Sequence, residues 1–258
     1  MKKEVRIFLS ALMFFTRIPV SQNTTADLNK AGRYFPLVGI IVGLIGAVVF
    51  EISSRIFRDD TIAALLSLGA TLLATGAFHE DGLADVADGF GGGWTKARIM
   101  EIMKDSRVGA YGVIALIVVL LMKTVLLSKL GARTEPFWLI YIAAHAVSRI
   151  MPVFLLRFMH YSREENTDSK SKPLANKISR TGFFIAIITG MIPLIILSVY
   201  TSAYVFLSLI PCGLLTVYLA RYFNKWINGY TGDCLGATQQ LNEIVFYLSM
   251  LVIWNYSL

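Results

Sequence analysis

The sequence predicts an all-α, polytopic integral membrane protein of about seven transmembrane helices, with an N-terminal interfacial or re-entrant helix besides. Three observations carry this. Of 258 residues, 55% are hydrophobic and only 16% charged, where an ordinary soluble domain is about 25% charged. Mean hydropathy is +0.62. The charges are gathered between long charge-free runs. This composition excludes a soluble domain, a disordered chain and a nucleic-acid module. The net charge of +7 then reads as basic cytoplasmic loops on a membrane protein.

The elements follow in order. Val5–Val20 is apolar but short, bracketed by Arg6 and Arg17, and Pro19 ends it; it is read as the interfacial helix. Uncharged runs at 34–50, 61–79 and 108–122 are spans, and 136–156 is a span interrupted only by Arg149. The 40 uncharged positions 181–220 measure about 60 Å as helix, twice the hydrocarbon core. They are two helices with a turn near Tyr200-Thr201-Ser202. Residues 244–258 make the last span. Segments 1–33, 80–107, 157–180 and 221–243 hold 18 Lys and Arg, against 5 in 51–60 and 123–135. That bias puts the first set inside, in a cytoplasmic (inner) cell membrane. No linker or repeat divides the chain, so 1–258 is one membrane-embedded catalytic domain. Cys212 and Cys234 form no metal pattern and no disulfide framework.

Chemistry collects in 80–107, read as a cytoplasmic loop. Six of the chain's 17 acids, Glu80, Asp81, Asp85, Asp88, Glu101 and Asp105, lie there. Asp81, Asp85 and Asp88 stand at i, i+4 and i+7, one face of a helix. Like charges at that spacing repel, and a divalent cation relieves them. Mg²⁺ suits hard oxygen donors shared with substrate phosphates. The alternative is a solvated acidic face with no ligand. Gly89-Phe90-Gly91-Gly92-Gly93-Trp94 is neither a P-loop nor GxGxxG and reads as a flexible turn. Lys104 and Arg107 either grip phosphate oxygens or anchor the loop by charge, and Asp105 is a further ligand or base.

Other candidates are spread along the chain. Asp233, flanked by glycines in the last inner loop with Glu243 closing that loop, is either a helix cap or part of a shared site with the aspartates. Arg149, mid-span and four residues after His145, is either functional or half of a structural ion pair. His79, beside the acids, suits acid–base or supporting work. Ser162–Arg180 is either a solvated loop or a lid.

With these residues in view, the chain resembles the cobalamin synthase family, the adenosylcobinamide-GDP ribazoletransferases, almost end to end. The resemblance rests on Phe15-Thr16-Arg17-Ile18-Pro19, on Arg33-Tyr34-Phe35-Pro36-Leu37-Val38-Gly39, on His79 with Ala84-Asp85-Val86-Ala87-Asp88-Gly89, on Lys104-Asp105-Ser106-Arg107-Val108-Gly109 and on Thr231-Gly232-Asp233-Cys234-Leu235-Gly236-Ala237. Glu80 departs from the family pattern, which has an apolar residue there, so it is not ranked with the ligands.

The resemblance implies Mg²⁺-dependent joining of adenosylcobinamide-GDP to α-ribazole, or to its 5′-phosphate. The products are adenosylcobalamin, or its phosphate, and GMP. Asp81, Asp85, Asp88 and Asp105 are expected to hold metal. Asp88, Asp105 and His79 are expected to be catalytic, and Arg17, Lys104, Arg107, Arg149 and Asp233 to bind substrate. The active site faces the cytoplasm, Trp94 and Tyr111 are candidate corrinoid contacts, and other late cobalamin-assembly enzymes are candidate partners besides the lipid bilayer. Three further classes stay open on residues alone: a CDP-alcohol-type phosphotransferase, whose acid spacing is similar; a transporter, for which the spans offer few polar residues beyond Arg149 and His145; and a purely structural membrane subunit, which would tolerate Asp81, Asp85 and Asp88 all changed to Asn.

Overall fold

A computed structural model describes residues 3–20, 28–132, 136–162 and 177–257. Its helices are α1 (Lys3–Phe15), α2 (Phe35–Phe57), α3 (Asp60–Thr75), α4 (Phe78–Gly92), α5 (Lys96–Ile102), α6 (Ala110–Gly131), α7 (Phe137–Phe158), α8 (Arg180–Tyr200), α9 (Leu209–Ile227) and α10 (Gly232–Ser257), with short 3₁₀ turns before α2 and α9. The all-α class holds.

Five helical segments are long and apolar enough to cross a membrane, and six if α3 and α4 count as one bent span. About seven were expected. The difference lies in the expected spans 61–79 and 244–258. The run 61–79 breaks at Gly76 and Ala77, whose φ values of 65° and 54° turn α4 by 90° from α3. The apolar stretch 244–258 belongs to a longer helix, α10, whose other half carries Gln239, Gln240, Asn242 and Glu243, all buried.

Local chemistry sets the element ends. Asp59 caps α3 by accepting from the backbone N–H groups of Thr61 and Ile62 at 2.8 and 2.9 Å, satisfying donors that the first turn leaves open. α1 stops at Phe15, and the Arg17 N–H donates to the Ala74 carbonyl at 2.7 Å. That bond ties the amphipathic N-terminal helix to the α3–α4 corner. The break expected in 181–220 falls at Thr201 and Ser202, between α8 and the 3₁₀ turn at Ala203–Ser208.

α7 is the central helix, buried along nearly its whole length. α2 lies on it through Gly39, Gly43 and Gly46, where a Cβ would run into the His145 carbonyl, the Ile142 backbone and the Tyr141 ring. Small residues at such a crossing let two backbones approach without a hydrophobic driving force.

Two segments read as loops are helical. Residues 80–107 are mostly α4 and α5, and 221–243 is the end of α9 and the first half of α10. The glycine run is likewise no flexible turn. Gly89, Gly91 and Gly92 are helical, with Gly89 against Met103 and Gly91 against the Tyr111 ring. The proposed lid at 162–180 lies, for residues 163–176, outside the described residues. Cys212 and Cys234 are both buried and no disulfide joins them.

Candidate active site on helix α4

The aspartates are set by the crossing of α4 and α10. A Cβ on Gly82 would stand 3.0 Å from both the Cα and the carbonyl oxygen of Asp233, and one on Gly236 would stand 3.0 Å from the His79 oxygen. The two helices therefore touch backbone to backbone. Gly82 follows Asp81 directly, so the start of α10 and its Asp233 lie against the acid-bearing turn of α4. Asp233 thus lies near the α4 acids along the contact of α4 with α10. Thr231 donates to the Asp233 carboxylate at 3.3 Å.

Along α4 the three acids differ. Asp81 is exposed, Asp85 half-buried and Asp88 buried. Asp88 accepts hydrogen bonds from the Gly109 and Gly112 N–H groups at 2.7 and 2.8 Å. These are open donors of the first turn of α6, so Asp88 caps α6 across space, a charge-assisted arrangement that the helix dipole favours. A side chain on either glycine would collide with the carboxylate. Asp88 therefore pins α6 to α4, with lone pairs left over on each oxygen.

Among the described residues, no group of three or more His, Cys, Asp or Glu is placed to hold a metal ion by itself. Mg²⁺ characteristically takes one or two carboxylates and completes its shell with water and substrate phosphates. Asp81 and Asp85, hard oxygen donors one turn apart, fit that demand.

Lys104, Asp105 and Arg107 are exposed on the segment between α5 and α6. Arg107 grips Asp105, Nη2 to Oδ2 at 2.7 Å and Nε to both oxygens at 3.1 and 3.2 Å. This guanidinium holds the Asp105 carboxyl down at about 2. Asp105 is thus engaged by Arg107. Gly109 on Asp88 anchors the same segment near the far end of α4. Arg17 lies over Gly76 at the opposite end, so basic groups stand at both ends of the acidic face.

His79 and Arg149 are placed elsewhere. The His79 ring is buried and stacked on Phe35 at 5.3 Å, with Phe15 and Phe78 around it. Both of its nitrogens lack a hydrogen-bond partner among the described residues. It packs the α2–α4 contact and does not face the acids. Arg149 is buried, donates to His145 Nδ1 and to the His145 carbonyl at 3.0 Å and lies over the Phe35 ring.

Arg149 belongs to a polar cluster inside the bundle that the residue pattern did not expose. Lys123 Nζ stands 2.9 Å from Glu243 Oε1 and donates to Gln240 at 2.7 Å. Gln240 donates to Glu80 at 2.8 Å, and Gln239 donates to Glu243 at 2.7 Å. His145 Nε2 is 3.7 Å from Glu243. Glu80, set aside on the family pattern, is therefore a core residue of α4. Lys123, counted with an outside turn, is inside α6, and Glu243, taken to close a loop, is inside α10. The spans are not short of polar groups. The available signal was the set Gln239, Gln240 and Glu243, which fall close together on a helix that otherwise reads apolar.

The family model described as cobalamin-5-phosphate synthase matches residues 7–251. The adenosylcobinamide-GDP ribazoletransferase of Vibrio parahaemolyticus is 41% identical over 258 residues, 99% of this chain and 95% of the relative. That of Shewanella frigidimarina is 44% identical over 256 residues, covering 97% and 96%, and that of Vibrio cholerae 41% over 265 residues, covering 99% and 97%. No solved structure matches.

Proposed function

We propose, from the premise that this chain belongs to the cobalamin-5-phosphate synthase family, that the open face of α4 carries its chemistry. The chain is an adenosylcobinamide-GDP ribazoletransferase, a membrane-embedded transferase of cobalamin biosynthesis. The observation that supports placing the reaction on α4 is the close approach of Gly82 to the Asp233 backbone, which brings the start of α10 against the turn that carries Asp81.

The reaction is phosphoryl transfer. A ribose hydroxyl oxygen that is free in both α-ribazole and its 5′-phosphate, and so not the 5′ oxygen, bonds to the phosphorus that carries the cobinamide. The bond from that phosphorus to the bridging oxygen breaks, GMP departs with the oxygen, and the hydroxyl proton passes to a carboxylate. Such transfers depend on positioning and on neutralising charge. Asp81 and Asp85 would hold Mg²⁺, which supplies charge neutralisation on the diphosphate. A carboxylate of this face that does not hold the metal takes the proton. Arg17 at one end of α4, and Lys104 and Arg107 at the other, bind phosphate oxygens. From Asp81 to Asp88 the helix rises about 10 Å, a span suited to a diphosphate. Asp88 and Asp233 position: the first fixes α6, the second closes the site from α10. The basic bias of 1–33, 80–107 and 157–180 orients this face toward the cytoplasm.

Incubating purified protein with adenosylcobinamide-GDP, α-ribazole and Mg²⁺ and measuring GMP tests this reading. Asp85→Asn and Asp81→Asn should each abolish GMP release while leaving membrane insertion and melting temperature unchanged. Near-normal release from Asp85→Asn would remove α4 as the site.

A further inference from the structure

We propose that the cleft between α7, α8 and α9 binds one membrane phospholipid, its acyl chain lying in the cleft and its phosphate held by Arg221. The cleft measures about 510 Å³ and is walled by Ile150, Phe154 and Phe158 of α7, Met191 of α8 and Gly213 of α9, with Arg221 on its rim. All three helices belong to segments apolar enough to cross a bilayer. The medium at its mouth is therefore lipid. An empty space of this size would forfeit dispersion contacts along its whole wall, so an acyl chain fills it.

Position and charge select which lipid group sits where. From Leu209 to Arg221, both on the cleft wall, α9 rises about 18 Å, close to one leaflet of a core about 30 Å thick. Arg221 is exposed and makes no salt bridge among the described residues. Ser162 donates to the Ile227 carbonyl, so the end of α9 meets the chain just after α7 and Arg221 lies toward the Phe158 and Met159 end of the cleft. That end of α7 is tied to the start of α10 through the Tyr161–Tyr230 bridge. A guanidinium there meets a phosphodiester at head-group depth. Met151, Met159 and Met191 supply flexible walls for a chain with many conformers.

Gly213 gives the test its edge. A Cβ at Gly213 meets nothing within 4 Å, so a large side chain there occupies the cleft without disturbing the helices. Gly69 on α3 also meets nothing within 4 Å and lies away from the cleft, so it serves as the control.

The full chain, delipidated in mild detergent, is titrated with phosphatidylglycerol and read by native mass spectrometry. One lipid should stay bound. Gly213→Phe should remove it, Arg221→Gln should weaken it roughly fivefold, and Gly69→Phe should leave it unchanged. Should Gly213→Phe fail to fold, Val217→Trp fills the same cleft from the next turn. No discrete lipid on the unsubstituted protein, full retention by the filled variant, or displacement of the lipid by α-ribazole would each overturn the proposal. The last outcome would give the cleft to the acceptor. None of these readouts depends on the transferase assay, so failure here is separate from failure of the α4 site.

Discussion

Lys123 Nζ lies 2.9 Å from Glu243 Oε1, with both side chains almost fully removed from solvent, where α6 meets α10. Two charges in a bundle core are worth keeping only if each is fully engaged, because desolvation costs several kcal/mol per ion. Here both are: Lys123 also donates to Gln240 and Glu243 also accepts from Gln239. The chain of contacts continues from Gln240 to Glu80, the residue before Asp81. The inner polar cluster therefore holds α4 from within while its outer face carries the aspartates.

Breaking this pair from one side should be costly. Lys123→Met leaves Glu243 buried without its cation, and stability should fall by about 3–5 kcal/mol. Lys123→Met with Glu243→Leu removes both charges and should recover most of the loss. Thermal unfolding followed by size-exclusion fluorescence in detergent separates the two. A double variant no more stable than the single one would mean that the pair is not coupled.

The Asp105–Arg107 pair makes an opposite kind of prediction, about pH. The Asp105 carboxyl is lowered from its ordinary 3.8 to about 2 by Arg107. A lowered carboxyl means that the ion pair is intact above the ordinary value and is lost only as pH falls through about 2. It stays charged throughout the range in which a transferase is assayed. Asp105→Asn should therefore leave both limbs of the pH–rate profile in place between about pH 5 and 9, while binding of adenosylcobinamide-GDP weakens as Arg107 loses its tether. Loss of a limb would restore Asp105 as the proton acceptor.

Legibility in the sequence followed the kind of force involved. The spans are set by hydrophobic run length, a local property, and Phe35–Phe57 or Phe137–Phe158 could be read directly. The i, i+4, i+7 spacing likewise placed Asp81, Asp85 and Asp88 on one helix. What the spacing hid was the partner of each group. Asp88 is committed to amides 21 and 24 residues away, and Glu80 to a glutamine 160 residues away. Charge sign alone put Lys123 in an outside turn, because charge counting assumes that every lysine is solvated. The glycine run misled for a related reason: Gly89 and Gly91 are there for close packing, not for turning the chain.

That packing yields the most local prediction. Gly82→Ala adds a methyl that would stand 3.0 Å from the Asp233 Cα and carbonyl oxygen. Both are backbone atoms, so the neighbour can yield only by moving the start of α10. Alanine is a better helix former than glycine by about 1 kcal/mol, which offsets part of the strain. The melting temperature should change little. The shift of Asp233 relative to Asp81 and Asp85 acts on the transition state, where misplacement of reacting groups is expensive, and kcat should fall roughly tenfold with KM nearly constant. Gly236→Ala presses the same crossing from the other side, against the His79 oxygen at 3.0 Å, and should give the same split. Steady-state kinetics of GMP release on both variants decides it: a rise in KM with kcat unchanged would mean that the α4–α10 contact serves substrate binding, not the geometry of transfer.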